Sequence, residues 1–236
     1  MIKVPPYEWL DAAGEAARRA GKSERPGFVV GFVAGQEMVW LPEALRILRE
    51  EGPGVDITIS SLSSPELANA LMQNRMDVAL LRREAQTSGL AFKFLTKEPL
   101  VVILPANHRL AKHKAIRPKE LARETFIAGS AKLAPVLKAT VQEYATRVGI
   151  TLNQKYDAEN ISGGMSLVAS TGSVTLLPLY VTNMLVPSVI ARPLQGEPPT
   201  VDLVMGYNKS NTSPLLRRFL SRADELVGRV ARMCPP

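Results

Sequence analysis

The sequence predicts an α/β protein built of two similar lobes, and three observations carry that expectation. β-branched apolar runs alternate with amphipathic helical runs, the signature of parallel strands joined by right-handed crossovers. The alternation halts at "PANHRLAKHKAIRPKEL" and restarts at "TFIAGS", so the βαβ theme occurs twice. A chain of 236 residues, 46% hydrophobic and 22% charged, has the composition of an ordinary globular protein and is long enough to bury a real core.

Each element has a local reason. "LDAAGEAARRAG" is rich in Ala and Arg and reads as a helix ending at Gly21, broken by "KSERPG". "GFVVGFV", from Gly27, is a strand, and "MVWLPEALRILREEGP" a helix closed by Gly52 and Pro53. "VDITIS" alternates apolar and polar residues as a half-buried strand does. "PELANALMQN" places Leu67, Ala70, Leu71 and Asn74 at helical spacing, and "MDVALLR" makes a third strand. "LAFKFL" and "PLVVILP" read as two further short strands. In the second half "TFIAGS" and "TLNQKYDA" are strands flanking a helix, "LAPVLKATVQEYATRVG", that ends at Gly149. "SGGMSLVAST" is a helix ended by Gly172, "SVTLLP" a buried strand and "NMLVPS" a helical turn. Strands "VIARPL" and "VDLVMGYN" precede one long terminal helix with Leu216, Phe219, Ala223, Leu226 and Val230 on its apolar face.

Composition also narrows the function. No run of about 18 apolar residues is present, and "MIKVPPYEWLDAAGE" has no apolar h-region, so a cytoplasmic protein without membrane association is expected. A single cysteine, Cys234, excludes an internal disulfide framework. The net charge of +7 is spread along the chain rather than interleaved with aromatics, which argues against a nucleic-acid stacking platform. No nucleophile elbow, phosphate loop, dinucleotide fingerprint or metal-ligand spacing occurs, so neither an enzyme nor a cofactor or metal protein is expected. His108 and His113, in one polar segment, read as surface residues.

The candidate site follows from the fold class. Ligands of open α/β sheets bind outside the carboxyl ends of strands, and here those ends carry Ala34–Gln36, Ser60–Ser64, Arg82 and Gly129–Ser130. "ITISSLSSPELANAL" places four serines in five positions just before a helix. Ser63 with Glu66 fits a capping box, Ser64 is the alternative N-cap, and the same helix N-terminus favours an anion. Arg82 is either a bidentate partner for a carboxylate or a solvent-facing strand end. Ile161 and Ser162 open a helix backed by Gly163 and Gly164, which permit close approach to a ligand or mark only a loose helix start. Met38 and Trp40 fit an apolar pocket wall, Trp40 equally lobe packing or a dimer contact.

Three blocks together resemble the effector-binding domain of LysR-type transcriptional regulators: "GFVAGQEMVWLPEALRILREEGPGVDITI" with "SSPELANALMQNRMDVALLR", "EPLVVILPANHRLAKHKAIRPKEL", and "SLVASTGSVTLLP". "LDAAGEAARRAG" is similar to the end of that family's linker helix, and the family's N-terminal winged helix-turn-helix is not seen. The resemblance implies two Rossmann-like lobes of periplasmic-binding-protein type with a cleft between them. It divides the chain into residues 1–26 (linker), 27–104 plus 203–236 (lobe I) and 105–202 (lobe II), with crossings near Leu104–Ala106 and Thr200–Leu203. It further implies a small-molecule effector in the cleft, a carboxylic acid and plausibly an aromatic one. A homodimer or homotetramer would pair the helix near Leu41–Glu50 with the partner's helix near 135–148, and DNA would be bound only through the missing N-terminal domain. The position matching Ser64 binds an effector carboxylate in acid-sensing relatives. Gly35 stands where some of them carry serine, leaving a backbone N–H or Gln36 to substitute, and Gly129 and Ser130 face the cleft from the opposite side. The effector-binding set is therefore Gly35, Gln36, Ser63, Ser64, Arg82, Gly129, Ser130, Ile161 and Ser162. The alternative is a solute-binding protein for a transporter, a class that is exported and usually monomeric.

Overall fold

The structure, a computed structural model, describes residues 27–85 and 87–233. The expected linker helix and Cys234 lie outside the described residues. Lobe I begins with β1 (Gly27–Val33), α1 (Glu37–Glu51), β2 (Asp56–Leu62), α2 (Ser64–Met72) and β3 (Val78–Leu81). A long strand, β4 (Leu90–Pro105), leads to α3 (Pro118–Leu121), β5 (Thr125–Gly129), α4 (Pro135–Arg147) and β6 (Asn153–Ala158). Then come α5 (Ile161–Thr171), β7 (Thr175–Pro178), a 3₁₀ segment at Leu179–Met184, and β8 (Val189–Arg192). β9 (Thr200–Asn208) precedes α6 (Pro214–Ser221) and α7 (Ala223–Met233).

The sheet is mixed, not wholly parallel as the βαβ pattern predicts. β1 pairs in parallel with β2 and β3, whereas β9 is antiparallel to both β3 and β4. The reason is topological: β4 carries the chain out of lobe I and β9 brings it back, so the two must run in opposite senses. The segments "LAFKFL" and "PLVVILP" are one strand with an irregularity between Phe94 and Thr96. Leu90–Pro99 pairs with β9, and Leu100–Pro105 pairs with β7 and β8. The exchange of partner therefore falls at Pro99–Leu100, where proline has no N–H to give to a ladder. Thr200 of the returning strand sits opposite Pro99.

Strand alternation distributes the core to both faces of each lobe. In lobe I, Val30, Phe32, Val78 and Leu80 pack with Ile47, Leu48 and Phe219, while Ala79 and Leu81 meet Leu67 and Leu71 of α2. In lobe II, Val102, Leu104 and Leu176 pack with Phe126 and Val141 on one face. Ile103 and Leu177 meet Met165 and Val168 of α5 on the other. Trp40 is in the lobe I core and Met38 is exposed, so neither forms a pocket wall. The expected single terminal helix is interrupted at Arg222, whose guanidinium pairs with Glu50 at 2.7 Å, Glu51 at 3.0 Å and Glu225 at 2.7 Å. Among the described residues, no helix is long and apolar enough to cross a membrane and no acidic, His or Cys cluster is arranged to hold a metal ion.

Candidate functional site

A cavity of about 340 Å³ lies between the lobes. Lobe I contributes Val33, Ala34, Ser61–Ser64, Arg82 and Glu84, and lobe II contributes Gly129, Leu133, Leu137, Asn160, Ile161, Leu177 and Tyr180. Its walls are largely aliphatic, with polar groups at the ends of β2 and β3 on one side and Glu159, Asn160, Thr175 and Tyr180 on the other.

The serine cluster divides its labour. Ser63 is the N-cap of α2: its Oγ accepts from the N–H of Glu66, and the Glu66 carboxylate accepts from the Ser63 N–H at 2.9 Å and from its hydroxyl at 2.6 Å. That hydrogen bonding holds the Glu66 carboxyl below its ordinary value, the Ser63 hydroxyl acting first. Ser64 does something else. It is 3% exposed, and its Oγ accepts the backbone N–H of Arg82 at 2.9 Å. Ser64 lines the cavity, and a hydroxyl that accepts one bond keeps a proton to donate. Pro65 brings no N–H, so Ser64 also holds the first N–H of α2 not used by the cap.

Arg82 is buried rather than solvent-facing, at 7% exposure. Its Nη2 bonds to the Glu98 carboxylate, and its guanidinium stands 6.0 Å from the centre of the Tyr180 ring. Gln36 holds the same carboxylate from the other side, its Nε2 donating at 2.8 and 2.9 Å to the two oxygens. Arg82 Nη1 is buried without a partner among the described residues. Such a group is costly to leave unmade, so the site is short of one acceptor. Tyr180 donates its hydroxyl to the Ala34 carbonyl at 2.9 Å, tying the lobes together beneath Arg82. Burial pushes its phenol well above the ordinary range, against the opposing pull of Arg82, so it stays a donor.

The expected residues therefore separate. Ser63, Ser64, Arg82, Gly129 and Ile161 line the cavity. Gly35 does not: its φ is +90°, and a Cβ there would stand 2.9 Å from Tyr180 Cε2 and 3.0 Å from Met184 Sδ. A side chain at position 35 would have to share its space with Tyr180 and Met184. Gln36 is fully buried and engaged with Glu98. Ser130 closes its own turn, its Oγ accepting from the N–H groups of Lys132 and Leu133 at 3.2 and 3.3 Å. Ser162 is exposed, and the N-cap of α5 is Asn160, whose side chain accepts from Gly163 at 2.7 Å. His108 is partly buried and faces Glu124 at 3.3 Å, away from the cleft lining. Reading strand ends missed Glu98, Tyr180 and Glu84. Glu98 fell between the two short strands read from sequence and, like Tyr180, had no signal.

Comparison with known proteins agrees with this fold. Residues 21–227 match the LysR substrate binding domain. The Hca operon transcriptional activator HcaR of Escherichia coli (strain K12) is 31% identical over 227 residues, covering 94% of this chain and 75% of that protein. The BenM effector binding domain with its effector benzoate superposes with a TM-score of 0.76 at 17% identity, covering 91% of this chain and 97% of that one. The effector binding domain of QuiR in complex with shikimate gives a TM-score of 0.74 at 18% identity, covering 87% and 99%.

Proposed function

The chain belongs to the LysR substrate-binding domain family, and from that premise we propose that it senses a small organic acid held between its lobes at Ser64 and Arg82. As a ligand-sensing regulatory domain it relays occupancy to a DNA-binding domain, and its named relatives are transcriptional regulators, which sets aside the transport-receptor alternative. The observation that carries the acid is the unpartnered Nη1 of Arg82, buried beside the donating hydroxyl of Ser64 in one cavity. A carboxylate supplies two acceptor oxygens on one carbon, which matches those two donors. The cavity volume is at the low end of the roughly 300–1,000 Å³ typical of small-molecule sites, which favours an acid of about single-ring size, aromatic acids included.

In this reading the protein works in the cytoplasm, without catalysis, as a homodimer or homotetramer through α1 and α4, and of the described residues lobe I comprises those within 27–99 and 200–233. The partner exchange at Pro99–Leu100 supports those limits over a boundary after residue 104. Closure of the lobes on the acid biases the equilibrium read by the DNA-binding domain, by as much as the acid prefers the closed form.

The test is a thermal-unfolding comparison of benzoate with benzamide. A ligand at a hundred times its Kd stabilises by about 2.7 kcal/mol. Benzoate or a substituted benzoate should raise the midpoint by several degrees, the amide should not, and Ser64→Ala should abolish the shift. No response to any acid would remove the carboxylate reading.

A further inference from the structure

Arg82 is followed by two residues whose surroundings differ. Arg83 is exposed and stands over the Phe92 ring at 5.4 Å, outside the cavity lining. Glu84, two residues on from Arg82 and beyond the end of β3, also lines the cavity. It also lines a wider groove of about 910 Å³ formed with Leu90, Phe92, Pro135, Ala139 and Lys209. Glu84 and Val136 are shared by both spaces, so they mark where the cavity opens into the groove. Ser64 and Arg82 line only the cavity.

The Oε1 atom of Glu84 is buried and has no hydrogen-bond partner among the described residues. Burial alone raises its carboxyl above the ordinary value, with no cation opposing the shift. A carboxyl oxygen withdrawn from water and left without a donor is an unfavourable arrangement that no other described residue relieves. Two residues that line the cavity thus carry unmet atoms of opposite kind, both buried: Arg82 Nη1 lacks an acceptor and Glu84 Oε1 lacks a donor among the described residues.

We propose that Glu84 is a specificity-determining residue, and that the effector is an acid bearing a second group, a hydroxyl, that donates a hydrogen bond to Glu84 at the mouth of the cavity. The inference rests on the carboxylate reading at Ser64 and Arg82 and deepens it. A hydroxy acid presents its carboxylate to the guanidinium and its O–H to the carboxyl oxygen, with the aliphatic walls of Leu133, Leu137 and Ile161 between them. An acid without the hydroxyl still meets Arg82 and leaves Glu84 Oε1 unmet.

The experiment is calorimetric titration of the wild type, Glu84→Ala and Glu84→Gln with benzoate, the three hydroxybenzoate isomers and the three methoxybenzoates. A hydrogen bond to a charged or buried carboxyl predicts at least one hydroxybenzoate binding about tenfold or more tighter than benzoate, with its methoxy counterpart showing no such gain. In Glu84→Ala that isomer should fall to within about threefold of benzoate measured on the same variant. Glu84→Gln, which keeps a carbonyl acceptor, should retain part of the preference. Benzoate binding with no hydroxyl preference, or a preference that survives Glu84→Ala, overturns the inference and leaves the carboxylate reading standing. Failure of every acid to bind overturns both.

Discussion

Gly35 offers the sharpest test of how the cleft is built. Its φ of +90° lies in the region that L side chains avoid, and Gly54 at +82° shares that conformation. The two differ in surroundings: a Cβ at Gly54 meets nothing within 4 Å, whereas one at Gly35 meets Tyr180 Cε2 at 2.9 Å and Met184 Sδ at 3.0 Å. Conformation alone costs about 1–2 kcal/mol for an L residue, so Gly54→Ala should lose about that much. Gly35→Ala adds overpacking of about 1–3 kcal/mol, giving a total of about 3.5 kcal/mol. Tyr180 cannot step aside freely, because its hydroxyl is bonded to the Ala34 carbonyl. At about 3 °C per kcal/mol for a chain of this size, the midpoints should fall by roughly 4 °C for Gly54→Ala and roughly 10 °C for Gly35→Ala. The loss of unfolded-state freedom from Gly to Ala is common to both and cancels in the comparison. Scanning calorimetry of the two variants measures the difference. Equal midpoints would refute the packing of Tyr180 and Met184 against residue 35.

Three more outcomes follow from the site. Arg82→Met leaves the Glu98 carboxylate with Gln36 alone and should destabilise by about 3–5 kcal/mol in urea unfolding, with part recovered in Arg82→Met/Glu98→Gln; a double variant no more stable than the single would contradict a buried pair. Ser63→Ala removes the α2 cap and should lower stability by about 1 kcal/mol while acid binding persists, whereas Ser64→Ala should lose acid binding, as paired unfolding and titration measurements would show. Because burial raises the Glu84 carboxyl above its unfolded value, its contribution is fully present below that value and is lost as pH rises through the folded one. Glu84→Gln should therefore gain on the wild type as pH rises above the ordinary carboxylate range, and unfolding profiles that stay parallel through that rise would exclude the burial effect.

What the sequence by itself determined is local. Hydrophobic period and punctuation by Gly and Pro marked the strand and helix runs of both lobes, and "SSPE" specified the capping box of α2, since caps and amphipathic faces are settled within a few residues. The strand ends pointed to Ser64 and Arg82 because ligand sites of such sheets collect there. Tertiary structure decided what depends on distant partners. The fusion of "LAFKFL" with "PLVVILP" needed β9 as a template, and the antiparallel sense of that pair needed the chain to leave and return. Arg82 became a buried group because Glu98 and Tyr180 arrived from 16 residues away and from lobe II. Gly35 lost its side chain to Tyr180, 145 positions later, a constraint no window along the chain contains. Glu84 looked like any surface acid in sequence, and only the folded lobe shows that it lines both cavity and groove with its Oε1 buried and unpaired among the described residues. Local propensity acts through neighbours in the chain, whereas burial and pairing act through space, and the binding chemistry of this domain is of the second kind.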